Sequence, residues 1–446
     1  MPPLPRSLAR SLAVIILAYF IIGAQYAALT PAWQVPDEPA HYNYIRHIAQ
    51  TGSLPVLQPG DYDQAYLSTL TSEKFPPERP IDPLHYEDYA PPLYYLLATP
   101  VFLLSGGALF PLRLYSLALG AGVIAFAFLA VQELFPARPW LALTTAGFIA
   151  FIPQHVAMMA GVNSDSLAEL LIAAGLWGIL RASAGRLETL AREWRLGLVI
   201  GLALITKATA YILVPVAAVM LLLRWRRMGW GEWRLLLRRA LLIFGPALAI
   251  GLLWWGRNLL VYGWPDFLGA IRHDAVVLNQ PRTSEWIALY GSTAVAQRFA
   301  VTTFQSFWGQ FGWMGVVMDG WVYPALLLYS VGLVLGVAMA LVRGPWSAVR
   351  PEQRDGSILL LVSGLLTLAL YLYYNLTFVQ HQGRYLFPAL IPIGLAAAAS
   401  LWAWGRLLEK FARQRVGWII PAGALVGMAA LDLFALYRFI IPALAR

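Results

Sequence analysis

Two adjacent carboxylates and a histidine stand just after the first long apolar stretch, in Val35-Pro36-Asp37-Glu38-Pro39-Ala40-His41-Tyr42. A carboxylate can act as a general base or ligate a divalent cation, so Asp37 and Glu38 are candidate catalytic residues. His41 and Tyr42 lie one turn further along a helix expected over 38–50 and are candidate substrate contacts. Asp37 is equally suited to capping that helix, with Pro39 in its first turn. Capping would account for Asp37 but leaves Glu38 and His41 unexplained. A second acidic position, Asp165, stands in Gly161-Val162-Asn163-Ser164-Asp165-Ser166. It is either a third catalytic carboxylate or a cap for the helix that follows, a task Asn163 or Ser164 would do as well. Asn163 is therefore also a candidate substrate contact. If the site takes a cofactor, a divalent cation on Asp37, Glu38 and Asp165 is the one these residues suit, and the sequence leaves metal dependence open.

Lys207 interrupts an apolar run, Leu204-Ile205-Thr206-Lys207-Ala208-Thr209, in a chain with only three lysines. An ammonium there needs an aqueous cavity or a partner, and an anionic phosphate is one such partner. The bland alternative is a short turn whose lysine snorkels to the interface. In Gln380-His381-Gln382-Gly383-Arg384-Tyr385, Arg384 could grip a phosphate or a carboxylate in bidentate fashion, with His381 and Tyr385 as flanking substrate contacts. The same pattern also fits interface anchoring at a helix start. The run Phe307-Trp308-Gly309-Gln310-Phe311-Gly312-Trp313 reads as an aromatic belt more readily than as a sugar-stacking surface. With no cysteine in the chain, thiolate metal sites and cysteine nucleophiles are excluded. The six histidines lack zinc-ligand spacing, and neither a phosphate-binding glycine loop nor a nucleic-acid module is present.

The elements that position these residues belong in lipid. Hydrophobic residues make up 59% of the 446 and charged residues only 12%, against roughly 25% in a soluble domain. Apolar stretches recur at 11–30, 114–132, 139–162, 166–180, 241–256, 320–342, 357–380, 385–405 and 416–431. A hydrocarbon core of ~30 Å needs about 20 helical residues, so the pattern predicts an all-α polytopic membrane protein, one domain over 1–446. The first stretch exceeds a signal-peptide core of roughly 7–15 residues and reads as a retained anchor.

The net charge of +9 is unevenly placed. Arg181, Arg186, Arg192 and Arg195, then Arg224, Arg226, Arg227, Arg234, Arg238 and Arg239, then Arg343, Arg350 and Arg354, and finally Arg406, Lys410, Arg413 and Arg415 mark the cytoplasmic side. Nine carboxylates within 31–90 mark the opposite side. Consistency requires Pro91–Ser105 to lie at the interface without crossing, and 196–223 to be two short helices broken near Lys207. The expected result is a bundle of about eleven transmembrane helices in the plasma (inner) membrane, its N-terminus cytoplasmic. Two outer loops, 31–110 with juxtamembrane helices and 259–319, complete it.

With these residues in order, the chain resembles the GT-C superfamily of integral-membrane glycosyltransferases. The likeness is to the branch of protein O-mannosyltransferases and aminoarabinose transferases, and to a related bacterial family of multi-spanning proteins. It rests on Asp37-Glu38 after the first span, Pro91-Pro92-Leu93-Tyr94-Tyr95, Asp165, Thr206-Lys207 and Gln382-Gly383-Arg384-Tyr385. The resemblance implies a sugar moved from a polyprenyl-phosphate donor, at the outer membrane face, to a lipid, glycan or protein acceptor. Asp37 would match the family's essential acidic residue, as base or organiser, and Asp165 its second acidic position. Lys207 and Arg384 would contact the donor phosphate, and membrane lipids would surround the whole. His41 departs from the mannosyltransferase spacing. A transporter or flippase of lipid-linked saccharides, or a noncatalytic assembly subunit, would use similar contacts. Transporters are often built on paired repeats, and no repeat is visible here.

Overall fold

The computed structural model describes residues 5–185, 190–343 and 350–445. Arg186 of the first basic cluster lies outside them. In chain order, α1 (Arg6–Leu29) is followed by a folded loop holding α2 (Glu38–Thr51), α3 (Gln64–Ser72) and α4 (Leu93–Leu104). Next come α5 (Leu109–Leu134), α6 (Pro139–Ala150), α7 (Pro153–Met159), α8 (Asp165–Ser183), α9 (Leu190–Leu204), α10 (Leu213–Arg227) and α11 (Trp233–Tyr262). A second folded loop carries α12 (Ala270–Val276), α13 (Thr283–Tyr290), α14 (Ser292–Trp308) and a hairpin of β1 (Gln310–Phe311) against β2 (Val316–Val317). The bundle closes with α15 (Val322–Arg343), α16 (Pro351–Thr377), α17 (Leu390–Ala412) and α18 (Ile419–Ala435).

Nine helices among the described residues are long and apolar enough to cross a membrane. The pair α6 and α7 passes the same test together but is bent by 68° at its break, as in a broken span or a re-entrant loop, and counts as a tenth only if it is one span. The bend has a local cause: a residue before proline is pushed out of the helical region, and Ile152, ahead of Pro153, is extended. α9 is the eleventh element of the sequence count. Its 15 residues fall short of the ~20 a straight crossing needs. It is fixed instead by packing. A Cβ on its Gly197 would stand 2.4 Å from the Ile243 carbonyl oxygen of α11, so only glycine lets these backbones meet so closely. The outward faces are apolar, with Leu253, Leu328, Val334 and Val426 exposed. This inversion of a soluble surface is that of an integral membrane protein.

α4 has 12 residues with Pro100 inside, too short to span, and it packs on α2 and α5. The predicted break near Lys207 falls between α9 and α10, where Ala208–Ile212 forms a single 3₁₀ turn. α11 runs on to Tyr262, so the second loop begins later than 259. The Trp308 indole is buried against Phe148 and Tyr329, and Trp313 donates to the Trp33 carbonyl. The aromatic run is thus neither a lipid belt nor an open stacking surface; it staples the second loop to the first.

Candidate active site

The site forms at the end of the bundle that carries both folded loops. Five separated segments meet there: 33–42, 86–89, 161–166, 205–208 and 380–385.

Adjacent in sequence, Asp37 and Glu38 part company in space. Glu38 opens α2 and is fully buried, accepting two bonds from Arg113 of α5 at 2.8 and 2.6 Å. The Trp33 and Val162 amides also donate to it, at 3.0 and 3.2 Å. Arg113 spends its other donors on the carbonyls of Ala27, Thr30 and Pro31. This knot ties the end of α1, the start of α2, α5 and the 161–166 turn together. Glu38 was a candidate catalytic residue from sequence; with both oxygens sealed, it instead fixes the segment that presents Asp37.

Asp37 precedes α2 with φ 67° and its side chain makes no capping hydrogen bond, so side-chain capping does not explain the carboxylate. A left-handed non-glycine residue costs on the order of 1 kcal/mol and persists only where other contacts demand it. Here they do. Arg384 Nη2 donates to Asp37 Oδ2 at 2.8 Å, and the Tyr86 hydroxyl donates to Oδ1 at 3.1 Å. Burial works to raise the Asp37 pKa, but Arg384, aided by Lys207, outweighs it and holds the carboxyl below its usual range.

Capping of α8 falls to Asn163, whose side-chain oxygen accepts from the Ser166 amide while its Nδ2 donates to Met158 and Gly161 carbonyls. That locks Asn163 into the backbone, away from any substrate, and frees Asp165. Lys207 Nζ reaches Asp165 Oδ1 at 2.8 Å, each side chain 27% exposed. Lys207 is held by the break itself: the Ile205 carbonyl accepts from the Leu93 amide at the start of α4, and Lys207 follows in extended backbone.

Arg384 rides on a 3₁₀ turn, Gly383–Ala389, leading into α17. A Cβ on Gly383 would lie 2.4 Å from both the Phe307 nitrogen and the Thr303 carbonyl oxygen, so only glycine lets this turn seat on α14. The Arg384 guanidinium is not saturated. Its Nη1 has only the Met158 sulfur at 3.9 Å, and its Nε finds no acceptor among the described residues.

The remaining candidates divide. His41 Nδ1 lies 2.9 Å from the Tyr95 hydroxyl, facing the cluster. Burial and then Lys207 push its pKa down to about 3, so it stays neutral. Tyr385 stacks on Tyr371 and meets Tyr374 edge-on, close enough to feel Asp37, Lys207 and Asp165. Tyr42 is outside the cluster, bonded to the Gly107 carbonyl and packed on Trp33 and Phe102. His381 sits between Trp286 and Phe299.

One member was not singled out from sequence. Glu87 faces Asp37, Asp165, Lys207 and Arg384, all four of which bear on its charge. It is partly exposed, and among the described residues no hydrogen bond or ion pair reaches its carboxylate. Burial first, then the two aspartates, push its pKa up to about 7 against the pull of Lys207 and Arg384. Its only sequence signal is its place in Tyr86-Glu87-Asp88-Tyr89, directly ahead of the Pro91-Pro92 segment.

A metal on Asp37, Glu38 and Asp165 does not fit this arrangement. Each of the three is paired with its own cation, Arg384, Arg113 or Lys207. No group of three or more His, Asp or Glu side chains among the described residues is placed to hold a metal ion.

The family described as predicted membrane protein (DUF2142) matches residues 80–393, and the chain belongs to it. That region contains Glu87, Asp165, Lys207 and Arg384. No curated protein matches the chain in sequence. Among solved structures, ArnT from Cupriavidus metallidurans in the apo state aligns at TM-score 0.52 and 17% identity, over 98% of this chain and 73% of that one. The crystal structure of the same protein bound to undecaprenyl phosphate aligns at TM-score 0.50, with the same identity and coverage. The likeness establishes the fold as the GT-C type the sequence resembled.

Proposed function

We propose that this family member transfers a sugar from a polyprenyl-phosphate donor to an acceptor hydroxyl, on the membrane face carrying the two folded loops. The observation that carries the reading is Arg384: a guanidinium 9% exposed that pairs with Asp37 yet keeps an Nε without an acceptor. Buried donors are rarely left unsatisfied, so an orphan beside a half-open cation pair suits an incoming anion. Lys207 uses one of its three donors on Asp165 and has two to offer. The bound undecaprenyl phosphate of the ArnT structure is a ligand of this chemical kind.

In this reading the donor phosphate lies across Lys207 and Arg384. As the bond from sugar C1 to phosphate oxygen breaks, the leaving phosphate gains negative charge, which the two cations stabilise in place. Asp37 and Asp165 hold those cations in position, and the Glu38–Arg113 knot holds Asp37. The acceptor oxygen attacks C1 from the loop side and gives up its proton. Arginines gathered at the opposite end favour a cytoplasmic placement there, so the reaction faces outward. The charges cluster at one end, whereas transporters bind near the bilayer midplane, which weighs against a carrier.

The test is direct. Purified protein in lipid vesicles, offered a panel of radiolabelled polyprenyl-phosphate sugars with candidate acceptors, should release polyprenyl phosphate from one of them. Movement of intact donor across the bilayer without any release would support a flippase and sink the transferase.

A further inference from the structure

We propose that Glu87, and not Asp37, takes the proton from the acceptor hydroxyl; this rests on the transferase reading above. A proton acceptor needs an ionised oxygen that substrate can reach and that no cation already holds. Asp37 has one oxygen bonded to Arg384 and the other to Tyr86. Asp165 is engaged by Lys207, and Glu38 is sealed by Arg113. His41 is 2% exposed and its Nδ1 is committed to Tyr95. Glu87 is the carboxylate beside the cluster that is partly exposed and, among the described residues, has neither oxygen taken.

Its loop aims it there. The Ala90 amide closes a turn on the Glu87 carbonyl, and Asp88 is drawn the other way by His85 at 3.2 Å. The neighbouring Tyr86 hydroxyl reaches Asp37 at 3.1 Å, which brings this turn to the cluster, and the charges of Asp37, Asp165, Lys207 and Arg384 all bear on Glu87.

The charges balance. The acceptor oxygen forms its bond to sugar C1 as the C1–phosphate oxygen bond breaks, and that electron pair departs on polyprenyl phosphate. The hydroxyl proton goes to Glu87, which becomes neutral as the phosphate gains one negative charge. The site's total charge therefore does not change during transfer, which matters where little water screens it. Glu87 then returns the proton to water on the open side.

A base must be ionised to work, so the rate should rise with pH through about 7 and level off above it. Tyr44, Tyr86, Tyr89 and Tyr95 also face Glu87, but burial raises each above its usual value, so none titrates in that window. His41, held near 3, does not titrate there either. The hydrogen bond to Asp88 raises the His85 pKa above its ordinary value, so His85 needs its own control.

The experiment compares wild type, Glu87→Gln, Glu87→Asp and His85→Asn across pH 5–9 at saturating donor. Glu87→Gln should lose roughly 10²- to 10⁴-fold in rate and the acid limb with it, while retaining radiolabelled donor. Glu87→Asp should regain part of the rate with a displaced limb, and His85→Asn should keep the limb. Transfer by Glu87→Gln within about fivefold of wild type, or a limb that survives in it, overturns Glu87 as the base and leaves the transferase standing. Should Glu87→Gln fail to fold, a limb in Glu87→Asp unmoved from wild type overturns it equally. A wild type that releases polyprenyl phosphate from no donor removes the transferase reading and this inference together.

Discussion

At the arginine-rich end of the bundle, Glu193 lies between Arg224 at 3.5 Å and Arg239 at 3.6 Å, Glu133 approaches Arg181 at 3.9 Å, and Asp355 meets Arg227. Cations outnumber carboxylates, and the pairs join neighbouring helices. At the loop end the proportion reverses: Asp37, Asp165 and Glu87 share two cations, Lys207 and Arg384. The first pattern is a set of ties with positive charge to spare. In the second, a negative charge is left over and the cations retain unused donors, an arrangement that costs stability and is kept where chemistry needs it. The Glu38–Arg113 knot belongs to the first type although it sits at the second end, and it is what separates scaffold from site there.

Substitutions can break or sharpen that contrast. The largest effect is expected for Arg113→Met, which leaves Glu38 buried without its cation. Such a loss typically costs about 3–5 kcal/mol, seen as a fall in the unfolding midpoint in detergent. A loss below ~1 kcal/mol would mean that the knot is not scaffold.

Asp37→Asn should act the other way round. It keeps size and the Tyr86 hydrogen bond but strips Arg384 of its counter-charge. Transfer should fall about 10²- to 10³-fold, while stability drops by only ~1 kcal/mol because water reaches the pair, Asp37 being 27% exposed. Rates within a few-fold of wild type would return Asp37 to the scaffold. The smallest effect is expected for Arg227→Gln at the arginine end, where the Arg227 side chain is 30% exposed: under about 1 kcal/mol and no change in transfer. A drop in transfer rate there would show that the two ends are coupled.

What the sequence made legible follows from the same contrast. Asp37, Asp165, Lys207 and Arg384 stood out because each is a charge beside or inside an apolar run, a local anomaly. The spans, the break at Lys207 and the shortness of α4 were readable for the equally local reason that hydropathy, proline and length act within one segment. Glu38 looked like Asp37's twin, and only a contact made 75 residues away, at Arg113, tells them apart. Glu87 was hidden among nine carboxylates of one loop, since nothing in its neighbours says which way that loop turns. The burial of Trp308 was unreadable for the same reason: its partners Phe148 and Tyr329 come from other spans.

The Asp37–Arg384 contact bridges 347 residues. At roughly 5–20 residues per second of synthesis, Asp37 waits on the order of 20–70 s for its counter-ion, until most of the bundle has been made. Over that interval Glu38 already has Arg113 and Asp165 acquires Lys207, so the scaffold and half of the charge cluster can settle early. The other cation contact arrives last. A chain stopped before Arg384 therefore carries Lys207 but not the second cation of the cluster.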